Sequence, residues 1–150
     1  MIEYCLRNSA ELYIQQLVDK HLCYGIKSPD MDLYDFGFSR QIESDQKSTD
    51  YLSYILHITC EFKIIGKNNV TDYYDANTPS NQFSSNIQKL IGLKVQRVTL
   101  SEKNDLWLDL GKCWVVFITF ETDEESWRFF TSSKGNAHLV ASNSWLQKVF

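Results

Sequence analysis

The stretch YLSYILHITCEFKII, residues 51–65, constrains this chain more than any other part of it. Its even positions are Leu52, Tyr54, Leu56, Ile58, Cys60, Phe62 and Ile64, while Ser53, His57, Thr59, Glu61 and Lys63 take odd ones. Successive side chains on a strand point to opposite faces, so this pattern predicts one long, half-buried strand. Such a strand needs antiparallel neighbours and a core beneath it. LYDFGF, residues 33–38, supplies one neighbour, with Tyr34, Phe36 and Phe38 on one side. VTDYYD, residues 70–75, follows a Lys67-Asn68-Asn69 turn and reads as a hairpin return.

After Gly92 the pattern becomes a meander: LKVQRVTL (93–100), LWLDL (106–110), CWVVFITF (113–120), SWRFFT (126–131) and HLVAS (138–142). CWVVFITF is apolar on both sides, which predicts a central strand covered on both faces. SWLQKVF closes the chain as a strand or a helical turn, and RQIESDQKSTD (40–50) reads as an exposed loop. Two helices interrupt the β pattern. Asn8 or Ser9 caps the first, which runs to about His21 with Ala10, Tyr13, Ile14, Leu17, Val18 and Leu22 on one face. FSSNIQKLIG (83–92) forms the second and ends at Gly92. The expectation is a single α+β domain over residues 1–150, a predominantly antiparallel β meander with an N-terminal and a short mid-chain helix.

Within that meander, LIGLKV, VTLSEKNDLWLDL, ESWRFF and HLV, between residues 90 and 140, resemble a set of small bacterial domains of unknown function. Some of those domains are held to sit beside secreted toxins as immunity proteins. The resemblance implies a bacterial interaction protein, and it carries no catalytic residue over.

Motif chemistry narrows the classes. No G-x-G-x-x-G, no G-x-x-x-x-G-K-[ST] and no G-x-S-x-G occurs, so phosphate cradles and nucleophile elbows have no sequence support. His57 and Cys60 stand three apart on a strand and face opposite sides, so they cannot chelate together. Asp30, Asp32 and Asp35 fail as a calcium loop, because the sixth position is Asp35 instead of Gly and the twelfth is Gln41 instead of Glu. No cofactor and no metal are expected. With no apolar run near the roughly 18 residues of a membrane span and no export signal, a cytoplasmic protein is expected.

What remains is surface charge. The net charge is −4 and unevenly placed: residues 1–75 hold 7 basic and 12 acidic side chains, while 76–150 hold 8 and 7. An acidic chain without a basic stripe argues against nucleic acid and suits a basic protein partner. Asp30, Asp32, Tyr34, Asp35, Glu43 and Asp45 are the candidate partner-binding residues, with acids to steer and Tyr34 to anchor. Together with the resemblance, this reads as an immunity-type inhibitor of a basic toxin. Packing is the competing reading for the aromatics of 33–38. A small-ligand binder or enzyme with a pocket near Arg128 and His138 is the rival function. A structural subunit that forms a homodimer through an exposed strand edge is a third. ETDEESWRFF, residues 121–130, reads as the end of one strand and the start of the next, with its acids in solvent and nothing that requires Arg128 to point toward Glu124 or Glu125.

Cys5, Cys23, Cys60 and Cys113 carry no C-x-x-C spacing. Four free thiols and no stoichiometric metal are therefore expected. Thiol titration of the denatured protein with elemental analysis checks this, and a missing thiol pair or one equivalent of zinc contradicts it.

Overall fold

The alternation of residues 51–65 persists in the folded chain, but not as one strand. The computed structural model describes residues 2–4, 6–29, 32–40, 53–133 and 135–150, so Leu52 lies outside the described residues. From Ser53 the segment divides into β4 (Tyr54–Ile58) and β5 (Phe62–Gly66), which belong to different sheets. At residues 59–61 the backbone leaves its ladder, and the Thr59 and Cys60 amides donate to Ser126 O at 3.0 and 3.2 Å. Even positions stay buried on both sides of the bend, with Tyr54, Leu56, Ile58, Cys60, Phe62 and Ile64 all at 8% exposure or less. The period of two thus reports a face, and it is blind to a corner that keeps that face inward.

The other elements, in chain order, are β1 (Ile2–Tyr4), α1 (Arg7–Ile14), β2 (His21–Lys27), β3 (Tyr34–Ser39), β6 (Thr71–Tyr74), α2 (Ser80–Ile87), β7 (Arg97–Leu100), β8 (Leu106–Asp109), β9 (Cys113–Phe117), β10 (Trp127–Thr131), β11 (His138–Ala141) and β12 (Leu146–Val149). They make an α+β fold of two antiparallel sheets. The larger has the order β1-β12-β11-β10-β4-β3-β2 and the smaller β6-β5-β9-β8-β7. The meander is therefore split. β7, β8 and β9 follow one another in the small sheet, and the chain then crosses to insert β10 between β11 and β4. β9 is central in its sheet, as its apolar run predicts, and on its outward side Val116 is buried while Trp114 is only half-buried.

Between the sheets lies an aromatic cluster. Tyr34 and Phe36 enter from β3, Phe62, Tyr74 and Phe117 from the small sheet, and Phe83 from α2. Tyr34 packs edge-on against Phe62 and Phe83 at 4.7 and 4.8 Å, and Phe62 stacks on Tyr74 at 4.9 Å, geometries that suit the ring quadrupoles. α2 starts at Ser80, right after Pro79, and lies on β2 at Gly25, where a Cβ would stand 2.7 Å from Ile87. Only glycine admits the helix that closely.

The first helix is shorter than its spacing predicts. It ends at Ile14 and runs through a 3-10 turn, Gln15–Leu17. Asp19 then takes a φ of 70°, and residues 19–22 exchange backbone hydrogen bonds with 92–95, including Leu22 N to Leu93 O at 2.9 Å. Pairing with a segment some seventy residues away outweighs helical propensity here. α1 and the 3-10 turn after it cover the open edge of β7: Gln15 Nε2 of the turn donates to Val98 O at 2.9 Å and Arg7 Nη2 of the helix to Leu100 O at 2.8 Å.

Trp127 is fully buried at the start of β10, and its Nε1 donates to Asn104 O at 2.9 Å. Trp127→Ala removes that ring and orphans the Asn104 carbonyl, so a loss of about 3–5 kcal/mol is expected. Urea denaturation of wild type and variant checks this, and a loss under about 1 kcal/mol contradicts the packing role.

Candidate functional site

Two strand-to-strand crossings, β4 to β5 and β9 to β10, leave the sheets at the same end of the molecule. Loops that must span the gap cannot also fill it, and a groove results. One part, about 460 Å³, is lined by Asp32, Leu33, Thr59, Ala76, Phe120, Glu124 and Glu125. The adjoining part, about 390 Å³, shares Thr59, Ala76 and Phe120 and adds Glu61, Asp75 and Glu121 among others. Six carboxylates thus surround one half-buried phenylalanine, and neither lining contains a Lys or Arg among the described residues.

The rim is built on hydrogen bonds. Ser126 is fully buried, and its Oγ accepts from Phe120 N at 2.9 Å while its amide donates to Ala141 O at 2.8 Å. Asp105 Oδ1 accepts from Thr119 N at 2.8 Å, and Asp123 Oδ1 accepts from Ser144 Oγ at 2.5 Å. Residues 119–126 are therefore fixed at both ends and at the tip. Across the groove, Asp75 Oδ1 accepts from Asn77 N at 2.9 Å in an Asx turn, and Lys27 Nζ donates to Ala76 O and Thr78 O at 2.7 and 2.5 Å. The Lys27 cation is thus spent on loop carbonyls behind the groove.

The candidate residues scatter when the chain folds. Asp30, Glu43 and Asp45 lie outside the described residues. Asp32 is exposed on the groove. Tyr34 is 1% exposed, so its ring belongs to the core and offers no surface to a partner. Alternation places it there, since it shares a face with Phe36 and Phe38. Its hydroxyl still serves the site from below, donating to Asp75 O at 2.7 Å. Asp35 points to the outer face of the large sheet, 3.3 Å from His57 Nε2.

Arg128 and His138 do meet, with Arg128 Nη1 3.1 Å from His138 Nδ1. They meet on the sheet's outer face, and neither lines the groove. Arg128 also grips Glu125 through Nε and Nη2 at 3.2 and 2.8 Å, a contact that strand alternation does not require. Strand alternation starts only at Trp127, where β10 begins, and Glu125 precedes it in the loop, free to curl back. Glu121, Asp123 and Glu124 are exposed as expected. Cys60 and Cys113 are buried and free, and burial pushes their thiols up to about 12 and about 11, far from thiolate reactivity. Cys23 is half-buried, its Sγ 3.0 Å from Ser39 Oγ. Among the described residues no group of three His, Cys, Asp or Glu side chains is arranged to hold a metal, and no helix is long and apolar enough to cross a membrane.

Glu61, Asp75, Glu121 and Phe120 join Asp32 in one site although they span ninety residues of chain. No local motif announces such a grouping, which exists only because both crossings share an end. What the geometry defines is a two-sheet antiparallel α+β fold with an acid-lined groove at its crossover end. The chain matches no known protein family, no curated protein and no solved structure.

Tyr34→Phe removes the hydroxyl that holds the Asp75 loop and is expected to cost about 1 kcal/mol. Glu125→Gln weakens a part-exposed ion pair and is expected to cost less than about 1 kcal/mol. Chemical denaturation of both variants checks the pair of values, and a larger loss for Glu125→Gln contradicts the part-exposed ion pair described here.

Proposed function

We propose that the protein works by binding another protein through the acid-lined groove, with a basic surface as the occupant. The observation that carries this reading is the set of six carboxylates around Phe120, of which only Glu125 is paired with a cation among the described residues. Like charges held together in this way repel one another, and a cationic partner relieves that repulsion while its approach is steered by the field. Phe120 gives an apolar floor against which lysine or arginine stems can pack. The −5 balance of residues 1–75 reinforces the same sign. The resemblance of residues 90–140 to immunity-type domains fits this scheme: the basic partner is then a toxin and binding inhibits it in the bacterial cytoplasm. Tyr34 packs inside and cannot anchor a partner, and Phe120 takes that place at the groove.

The quadruple variant Asp32→Asn, Glu61→Gln, Glu121→Gln and Glu124→Gln neutralises exposed acids alone and is expected to keep the wild-type melting temperature. Binding to the product of the neighbouring gene, measured at low and physiological salt, is expected to show an on-rate that falls with salt in the wild type. The variant is expected to associate about tenfold or more slowly and to lose most of that salt dependence. Equal on-rates for the two proteins, or a partner with an acidic binding face, overturn the reading.

A further inference from the structure

The outer face of the large sheet carries a second cluster, independent of the groove. Register places Asp35, His57, Arg128 and Val140 in one cross-strand row, and His138 beside Val149 in the next. Phe130 stands between the two imidazoles. His57 meets its ring edge-on at 4.8 Å, and His138 stacks flat on it at 4.3 Å with 13° between planes. The histidines differ in their partners: His57 faces the Asp35 carboxylate at 3.3 Å, whereas His138 faces the Arg128 guanidinium at 3.1 Å.

A guanidinium only donates hydrogen bonds, so His138 Nδ1 has to accept, and the ring is neutral with its proton on Nε2. A second proton would turn Nδ1 into a donor aimed at a donor and set two cations side by side. Among the described residues only Glu125 offsets that in part, and Arg128 already holds it through two bonds, while Asp35 Oδ1 lies on the far side at 3.3 Å from His57 Nε2. β12 contributes uncharged Gln147 and Val149 to this face, while Lys148 sits on the opposite face with its Nζ 3.2 Å from Ser9 Oγ. Arg7 and Glu11 of α1 pair with each other at 3.1 Å.

We propose that Arg128 and His138, with Phe130 stacked beneath the imidazole, form an acid-released latch on the β10–β11 hairpin, closed while His138 is neutral and opened when it takes up a proton. Opening lifts the imidazole off Phe130, exposes that ring, and leaves the hairpin end held by Asn136 Nδ2 on Thr131 Oγ1 at 2.7 Å and by the Tyr13 hydroxyl on Ala137 O. Burial first, then Arg128 and His57, hold the His138 imidazole below the ordinary histidine range, with Glu125 opposing. Well above about pH 6.5 His138 is neutral in folded and unfolded chains, and its ionisation adds no pH dependence to stability. As pH falls through that value the unfolded chain binds a proton that the closed latch refuses, so stability is lost on acidification.

The test follows the His138 ring nitrogens by NMR from pH 8 to pH 4.5 in the whole chain, together with amide exchange of residues 127–141. The expected result is the Nε2–H tautomer at neutral pH, a titration midpoint below 6.5, and exchange in β10 and β11 that quickens as His138 titrates. Arg128→Gln is expected to raise the midpoint. His138→Phe keeps the stacking and is expected to abolish the acid-induced rise in exchange. A midpoint at or above 6.5, a midpoint unmoved by Arg128→Gln, or the same acid response in His138→Phe overturns the latch. If His138→Phe fails to fold, the midpoint and its response to Arg128→Gln decide alone.

Discussion

The carbonyl of Ser126 holds this structure together at its most demanding point. It accepts the Thr59 amide at 3.0 Å and the Cys60 amide at 3.2 Å, while the Thr59 hydroxyl donates to the adjoining Glu125 carbonyl at 2.8 Å. Thr59 and Cys60 belong to the crossing from β4 to β5, and Ser126 ends the crossing from β9 to β10. Each crossing takes backbone groups out of a ladder where burial forbids leaving them unpaired. Each becomes the other's partner. The two crossings are therefore one feature, and neither sheet can be completed without the other.

Much else follows from that joint. β10 reaches the large sheet at the register that buries Trp127 and Phe129 and turns Arg128 and Phe130 outward. β5 reaches the small sheet with Phe62 inward, where it meets Tyr34 and Phe36 of the other sheet and Phe83 of α2. The aromatic cluster thus spans both sheets and a helix, and packing of that density transmits strain instead of absorbing it. The acid-lined groove lies over the same joint. Its walls are the loops that the crossings require, so the feature most open to a partner rests on the most heavily bonded end of the fold. Binding there needs no ordering of the described rim, which removes one entropic cost of association.

Charge and packing divide the work between surfaces. At the groove, acids project from loops with few side-chain partners and set a long-range field. On the outer face of the large sheet, acids and bases are matched at contact distance, Asp35 with His57 and Glu125 with Arg128. Glu125 touches both regions, since it lines the groove and holds Arg128. A carboxylate beside such a groove is less available to a partner than its neighbours, because a guanidinium already claims it.

The sequence by itself determined which side chains face inward. Alternation in residues 33–38 and 54–64 names the core of β3, β4 and β5 residue by residue, because a pleated strand offers only two faces and water occupies one. Turn chemistry at Lys67-Asn68-Asn69 placed a hairpin, because Asn69 tolerates the positive φ that turn demands, whereas the second helix spans Ser80–Ile87 and stops short of Gly92. Tertiary contacts settled which sheet each strand joins, that the first helix stops at Ile14 and His21 begins a strand, and that Asp32, Glu61, Asp75 and Glu121 share a groove. Periodicity is a local property that survives a bend, whereas sheet membership depends on hydrogen bonds made far along the chain. The groove is legible only after both crossings are placed at one end, and that placement is set by where the Ser126 carbonyl finds its donors.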